Sequence, residues 1–308
     1  MEKIYLSDSG PKVSPAVYGF WRWQTIDQYT PAGMESIISL CLDLGINTFD
    51  HADHYGGYEC EELFGNIISK KKIRRQDIVL FTKCGIRVPH PSCPDIRLRH
   101  ADTSALHIER SVESSLRKLR TDYIDIFLLE DLDILANIEE TALALERLRT
   151  SGKIRNIGIN NFSVFQHQLL ASFLRVPIVT NHVELNLLNT TALDNGQLSY
   201  IKQRYMRPLV TAPLADGRIE HGTDELAIRV HHKLQEVGEK YGANVESVAV
   251  AWLIKLGALP VIGTREEQRI KNIVNAFNIE LDRQDWYDLY YTASGQQVQP
   301  LRQLQLAD

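Results

Sequence analysis

What this chain lacks narrows it first. It has four cysteines, Cys41, Cys60, Cys84 and Cys93, and no pair shows the Cys-x-x-Cys spacing of a zinc or redox motif. Such a set frames no disulfide scaffold, so reduced thiols in a cytoplasmic protein are expected, with no metal. A dominant charge sign is also missing: 34 Lys+Arg stand against 39 Asp+Glu, for a formal net charge of −5. Neither nucleic acid nor an anionic membrane is an expected partner, because both require a basic face. The basic run Lys70-Lys71-Lys72 with Arg74-Arg75 reads as a solvated helix end. No stretch is apolar enough to span a bilayer, and Met1-Glu2-Lys3-Ile4-Tyr5 lacks an apolar signal core. Gly-x-Gly-x-x-Gly after a strand is absent too, which disfavours a doubly wound dinucleotide fold.

What is present points to a large ordered core. The chain is 44% hydrophobic and 24% charged, an ordinary globular balance. Its 308 residues suit one (β/α)₈ barrel, which takes about 250 residues, with room for insertions. Two smaller domains would suit the length as well.

Alternation decides between them. Short β-rich runs at 17–21, 46–50, 78–83, 123–128, 154–159, 178–183, 208–211 and 259–262 make eight candidate strands. Most are continuously apolar, as parallel strands buried on both faces should be. Between them, residues 32–44, 104–119, 138–149, 244–256 and 266–276 carry helical periodicity. Asp102 and Thr103 are candidate caps for the second of these, and Gly152 stops the third. Eight strand–helix units favour a closed barrel over an open sheet. Residues 3–14 read as a β-hairpin that could plug the bottom of the barrel, and 282–308 as a helix and tail over part of the top. One domain spanning 1–308 is the simplest organisation.

In such barrels the chemistry sits at the C-terminal ends of the strands. The second strand runs out through Asp50-His51-Ala52-Asp53-His54-Tyr55, the third through Thr82-Lys83-Cys84 and the fourth through Leu129-Glu130-Asp131. The fifth ends in Asn160-Asn161 and the sixth in Asn181-His182-Val183-Glu184. An Asp, a Tyr, a Lys and a Glu therefore converge on one rim.

These segments resemble the aldo-keto reductase family. The matching stretches are FDHADHYGG at 49–57, LFTKCG at 80–85, YIDIFLLEDLD at 123–133, SGKIRNIGINNF at 151–162, TNHVEL at 180–185, APLADG at 212–217 and VIGTREEQRIKNI at 261–273. They occur in family order from about Val17 to about Tyr290. The resemblance implies an oxidoreductase using NADPH, with NADH as the lesser alternative. Asp50, Tyr55 and Lys83 take three places of the family's catalytic set, and Glu130 stands where a histidine is usual. Hydride comes from the cofactor, and Tyr55 would give the proton as general acid. A free phenol has a pKa of about 10, so a nearby Lys83 ammonium is expected to lower it, with Asp50 holding Lys83.

The same resemblance assigns a cofactor site and its departures. Asn160 and Asn161 replace the usual Ser-Asn that holds the nicotinamide amide, His182 replaces a glutamine, and Thr211 replaces a stacking aromatic. Leu214 and Gly217 belong to the loop over the pyrophosphate. Thr264, Arg265 and Arg269 form a phosphate site at a helix start, with the two arginines expected to clamp a 2′-phosphate. Trp21, Trp23 and His54 would wall the substrate pocket, with Tyr29 and Tyr58 as neighbours. His51 and His54 have a metal-like spacing, but no further Cys/His set completes a site. A buried Glu130 that stays protonated could stabilise an oxyanion. The substrate is then a small carbonyl compound or an enone reduced at its C=C bond. The other alternative is a catalytically quiet nucleotide-binding barrel.

Overall fold

A computed structural model describes residues 1–23 and 30–295 of the protein. Tyr29 and residues 296–308, the tail expected over the barrel top, lie outside the described residues. The N-terminal hairpin is β1 (Ile4–Tyr5) paired antiparallel with β2 (Lys12–Val13). Then come β3 (Val17–Gly19), α1 (Pro31–Asp43), β4 (Thr48–Asp50), α2 (Tyr55–Tyr58), α3 (Cys60–Lys71) and β5 (Val79–Cys84). A small antiparallel pair, β6 (Ile86–Arg87) and β7 (His100–Ala101), precedes α4 (Ala105–Leu119), β8 (Ile124–Glu130), α5 (Ile138–Thr150) and β9 (Ile154–Asn160). The chain continues through α6 (Val164–Phe173), β10 (Ile178–Glu184), α7 (Thr191–Asp194), α8 (Gln197–Gln203) and β11 (Leu209–Thr211). It ends with α9 (Arg218–His221), α10 (Glu225–Tyr241), α11 (Val245–Lys255), β12 (Leu259–Ile262), α12 (Glu267–Asn275) and α13 (Arg283–Ser294).

Strands β3, β4, β5, β8, β9, β10, β11 and β12 close into one parallel barrel, the eight units expected from the sequence. Their inward side chains make an apolar interior of Val17, Val79, Phe81, Ile126, Leu128, Val179, Leu209, Leu259 and Val261. Leu6 and Val13 from the hairpin complete that cluster, so the hairpin is a plug. The hairpin thus fills the lower end of the cylinder.

Element ends depart from the periodicity where local hydrogen bonds intervene. Ile46 stays out of β4 because its N–H donates to the Cys41 carbonyl and closes the end of α1. The cap of α4 is Ser104, whose hydroxyl accepts from the His107 N–H, and not Asp102 or Thr103. Asp102 supports that cap by accepting from the Ser104 hydroxyl at 2.6 Å. Helix α6 left little trace in the sequence because it buries only His167 and Leu170. Helix α13 is fixed to α11 by stacked Trp286 and Trp252, each indole N–H donating to the other residue's carbonyl. No described helix is long and apolar enough to cross a membrane.

Candidate active site

The loop after β4 places the central phenol. Tyr55 N–H donates to the Ala52 carbonyl, and the chain turns at once through Gly56 (φ 58°) and Gly57 (φ 65°). Both glycines are in the left-handed region, and a Cβ on Gly56 would lie 2.6 Å from the Trp23 carbonyl oxygen. No other residue fits that turn without strain. Tyr55 is half-buried, and among the described residues its hydroxyl accepts or donates no hydrogen bond.

Beside it lies a buried ion pair. Lys83 Nζ donates to Asp50 Oδ1 at 2.8 Å, Asp50 Oδ2 at 2.7 Å and the His51 carbonyl at 2.8 Å. Burial raises the Asp50 carboxyl against the opposing pull of Lys83. Lys83 Nζ is 5.0 Å from the Tyr55 ring centroid. The structure thus brings together Asp50, Tyr55 and Lys83, but it corrects the expected electrostatics. Burial pushes the Tyr55 phenol well up from its ordinary value, and the carboxylates of Glu130, Asp50 and Asp53 add to that.

Glu130 closes β8 directly opposite Asn160 on β9, and Asn160 Nδ2 donates to Glu130 Oε1 at 2.9 Å. Glu130 Oε2 is buried without a hydrogen-bond partner. Burial raises its carboxyl most, while Lys83 and His54 pull it down. Asn161, in the left-handed region at φ 60°, donates instead to Asp131 Oδ1 at 2.7 Å.

His182 lies fully buried near Phe81, with both ring nitrogens unpaired. Burial and Lys83 hold its imidazole well below the usual range, so it is neutral. Its neighbour Asn181, which the sequence reading left without a role, donates to the Phe162 carbonyl and leaves a buried Oδ1 without a partner. Its position one residue before His182 at the end of β10 was the available signal.

The loops after β11 and β12 border a narrow groove lined by Trp21, Leu214, Gly217, Thr264 and Arg269. Thr211 ends β11 just before it, with no aromatic there. Arg22 and Asp216, both in the groove wall, pair at 2.7 Å. That contact gives Asp216 a partner and adds Arg22 to the site. The indole of Trp21 lies over Gly19 and Gly263, where any Cβ would collide with it. The phosphate clamp is not formed as expected. Arg269 Nε donates to the buried Glu246 at 2.5 Å, whereas Arg265 is exposed.

Trp23 and the two histidines sort to different places. Trp23 is 4% exposed and packs against Phe20 behind the barrel wall, so it does not wall the mouth. His51 stacks on Phe20 at 4.3 Å between centroids, and burial keeps it neutral. His54 remains at the rim, its ring 5.0 Å from that of Tyr55. Tyr58 turns to the flank, where its hydroxyl donates to the Val88 carbonyl at 2.8 Å. Among the described residues no group of three or more His, Cys, Asp or Glu is arranged to hold a metal ion.

Comparison with known proteins identifies the family. A family model described as aldo/keto reductase family matches residues 16–290. The chain is 37% identical to the 6-dehydroglucose reductase of Agrobacterium fabrum, covering 97% of this chain and 100% of that relative. It is equally 37% identical to the uncharacterized oxidoreductase YcsN of Bacillus subtilis, over 97% of this chain and 100% of that one. Among solved structures, a glycerol dehydrogenase from Gluconobacter oxydans superposes with a TM-score of 0.84 at 22% identity, covering 99% of each chain. That last likeness concerns the fold alone.

Proposed function

The chain belongs to the aldo/keto reductase family and is an oxidoreductase, and on that premise we propose that it reduces a small-molecule carbonyl with NADPH, Tyr55 delivering the proton. The observation that carries this reading is a phenol with no hydrogen-bond partner among the described residues, held 5.0 Å at its ring from the ammonium of a buried Lys83–Asp50 pair. A substrate oxygen would accept its hydrogen bond. The bound cofactor would supply hydride to the carbonyl carbon.

The residues present fit that cofactor. Asn181 Oδ1 and both His182 ring nitrogens are buried and unpaired at successive positions near the end of β10, which suits a carboxamide. Asn160 has an amide hydrogen beyond the one given to Glu130. The Trp21–Gly217–Thr264 groove would take the pyrophosphate, with Leu214 in its wall. Arg265, at the start of α12, would meet the 2′-phosphate, while Arg269 would act mainly through Glu246.

Within the site, Tyr55 gives its proton to the carbonyl oxygen. Lys83 stabilises the phenolate that remains, and Asp50 keeps Lys83 charged and oriented. Protonated Glu130, favoured by burial, donates from Oε2 to the same oxygen. Trp21 and His54 wall the substrate. The name of the Agrobacterium relative supports an oxidised sugar as the carbonyl compound. A second reading, reduction of an enone C=C bond, is favoured by one feature alone, the carboxyl of Glu130 where a histidine is usual.

The test is NADPH consumption over oxidised sugars, other aldehydes, quinones and enones, with Tyr55→Phe as the control. Turnover of one class that disappears in Tyr55→Phe is expected. Turnover unchanged by Tyr55→Phe would remove the proposed acid.

A further inference from the structure

Four buried polar atoms beside the catalytic rim have no hydrogen-bond partner: Glu130 Oε2, His54 Nδ1, Asp53 Oδ1 and His107 Nε2. They belong to side chains that follow one another in space. His54 Nδ1 is 3.8 Å from Glu130 Oε2 and 3.5 Å from Asp53 Oδ1. His107 Nε2 is 3.9 Å from Asp53 Oδ2, which also accepts from the Ser111 hydroxyl at 2.8 Å. Buried polar atoms without partners are rare, because each forfeits its bonds to water. Here they form an unbroken series of acid, base, acid and base, each within a small side-chain movement of the next.

The far end of the series opens elsewhere. Asp53, His107 and Ser111 line a cavity of about 540 Å³ on the barrel flank, and neither Tyr55 nor Glu130 borders it. Exposed Leu106 and Ser92 rim that cavity, so it communicates with solvent. Substrate and cofactor at the barrel mouth would cover Tyr55 but leave this flank open.

We propose that Glu130, His54, Asp53 and His107 form a proton path that refills the catalytic rim from the flank cavity at each turnover. The proposal rests on the carbonyl reduction by Tyr55 described above. Each reduction consumes one proton besides the hydride. The Tyr55 O–H bond breaks, the alcohol O–H bond forms, and a phenolate remains. Glu130 returns a proton to the phenolate and becomes a carboxylate. It then takes the Nδ1 proton of a His54 imidazolium, which received it from the Asp53 carboxyl. His107 reloads Asp53 at Oδ2 from Nε2, and a half-turn of that carboxyl presents the proton to His54. His107 recovers its proton from water in the cavity. One proton enters for each consumed, and no electrons travel along the path.

The surroundings set when the path limits the rate. His107 faces Asp53 from the loop after β4, Arg87 from β6, His100 from β7 and Asp102 beyond it. Burial holds its imidazole below the usual range, with Asp53 and Asp102 pulling the other way and Arg87 and His100 assisting burial. Glu61 of α3 faces Asp53 as well, and Lys83 and Asp131 face Glu130. With few protonated His107 rings above neutral pH, refilling becomes slow there.

The experiment uses the full chain with NADPH and a carbonyl substrate from the panel. His107→Ala and Asp53→Asn are expected to lower kcat at pH 8 by about tenfold or more, within the range of positioned proton transfer. KM should change little and the solvent deuterium isotope effect should grow. Added imidazole, entering the space left by the ring, should restore kcat in His107→Ala. If both variants unfold at the wild-type temperature and keep wild-type kcat and isotope effect at pH 8, while Tyr55→Phe is inactive, the path alone is overturned. A fully active Tyr55→Phe would overturn the path together with the reading beneath it. Should a variant fail to fold, wild-type kcat is measured against deuterium fraction. A dependence bowed below the straight line, the mark of several protons moving in one rate-limiting step, supports the path, and a straight line overturns it.

Discussion

Lys83 spends all three of its N–H groups on Asp50 and the His51 carbonyl, so it reaches Tyr55 through its field and not through a hydrogen bond. The ring centroid of Tyr55 is 5.0 Å from Nζ, within reach of a through-space charge effect. Asp50 is thereby the residue that aims the charge, and Tyr55 is left free to bond substrate.

Removing the charge should therefore cost both activity and stability. Lys83→Met strands Asp50 in the barrel, and losing one partner of a buried pair costs about 3–5 kcal/mol. Steady-state assays should show kcat lower by about a hundredfold or more, in the range attributed to positioned acid–base groups. Urea unfolding should give the stability loss. A variant with wild-type kcat would exclude Lys83 from the chemistry.

Glu130 should impose a pH limit on the rate. Burial raises its carboxyl, so the neutral donor form persists above the usual carboxylate range and is lost as pH rises through the raised value. Carbonyl reduction is expected to fall across that rise. In Glu130→Gln, which keeps an N–H donor at every pH, this limb of the profile should flatten. A limb unchanged in Glu130→Gln belongs to another group.

The two arginines of α12 and its approach should separate. Arg265→Ala is expected to raise the Kd of NADPH by about tenfold with little change for NADH, as loss of one charge-assisted phosphate contact would. Arg269→Ala should weaken both cofactors alike and lower the melting temperature, because it leaves the buried Glu246 without the guanidinium. Fluorescence titration with each cofactor measures both. A purely NADPH-selective loss in Arg269→Ala would restore the clamp expected from the sequence.

Glu61 should make stability depend on pH. Its side chain is 1% exposed, accepts from the Thr82 hydroxyl at 2.6 Å, and burial pushes its pKa up to about 7. The folded state then holds a proton that the unfolded chain has released. Stability from this group is full at acid pH and is lost as pH rises from the ordinary carboxylate range to about 7. The loss is about 3 kcal/mol at 1.4 kcal/mol per unit. Denaturant titrations of wild type and Glu61→Gln at pH 5 and pH 8 should show the variant gaining relative stability at pH 8. An equal difference at both pH values would mean that Glu61 does not titrate on folding.

The sequence by itself determined the barrel and the chemical types on its rim. Continuously apolar runs are the mark of strands buried on both faces, and that signal is local, so all eight strands were legible. Asp50, Tyr55, Lys83 and Glu130 were legible because residues at strand ends must share the rim once the barrel closes. What only the tertiary structure decided was which polar atom meets which. Trp23 went behind the wall to Phe20, and Arg269 went to Glu246, twenty-three positions earlier in the chain. Asp53 was legible only as a member of the strand end at 50–55, and His107 drew no attention, because a lone histidine on a separate helix carries no pattern. Their meeting, and the raised phenol of Tyr55, depend on distance and loss of water, which arise only when loops and helices distant in sequence pack together.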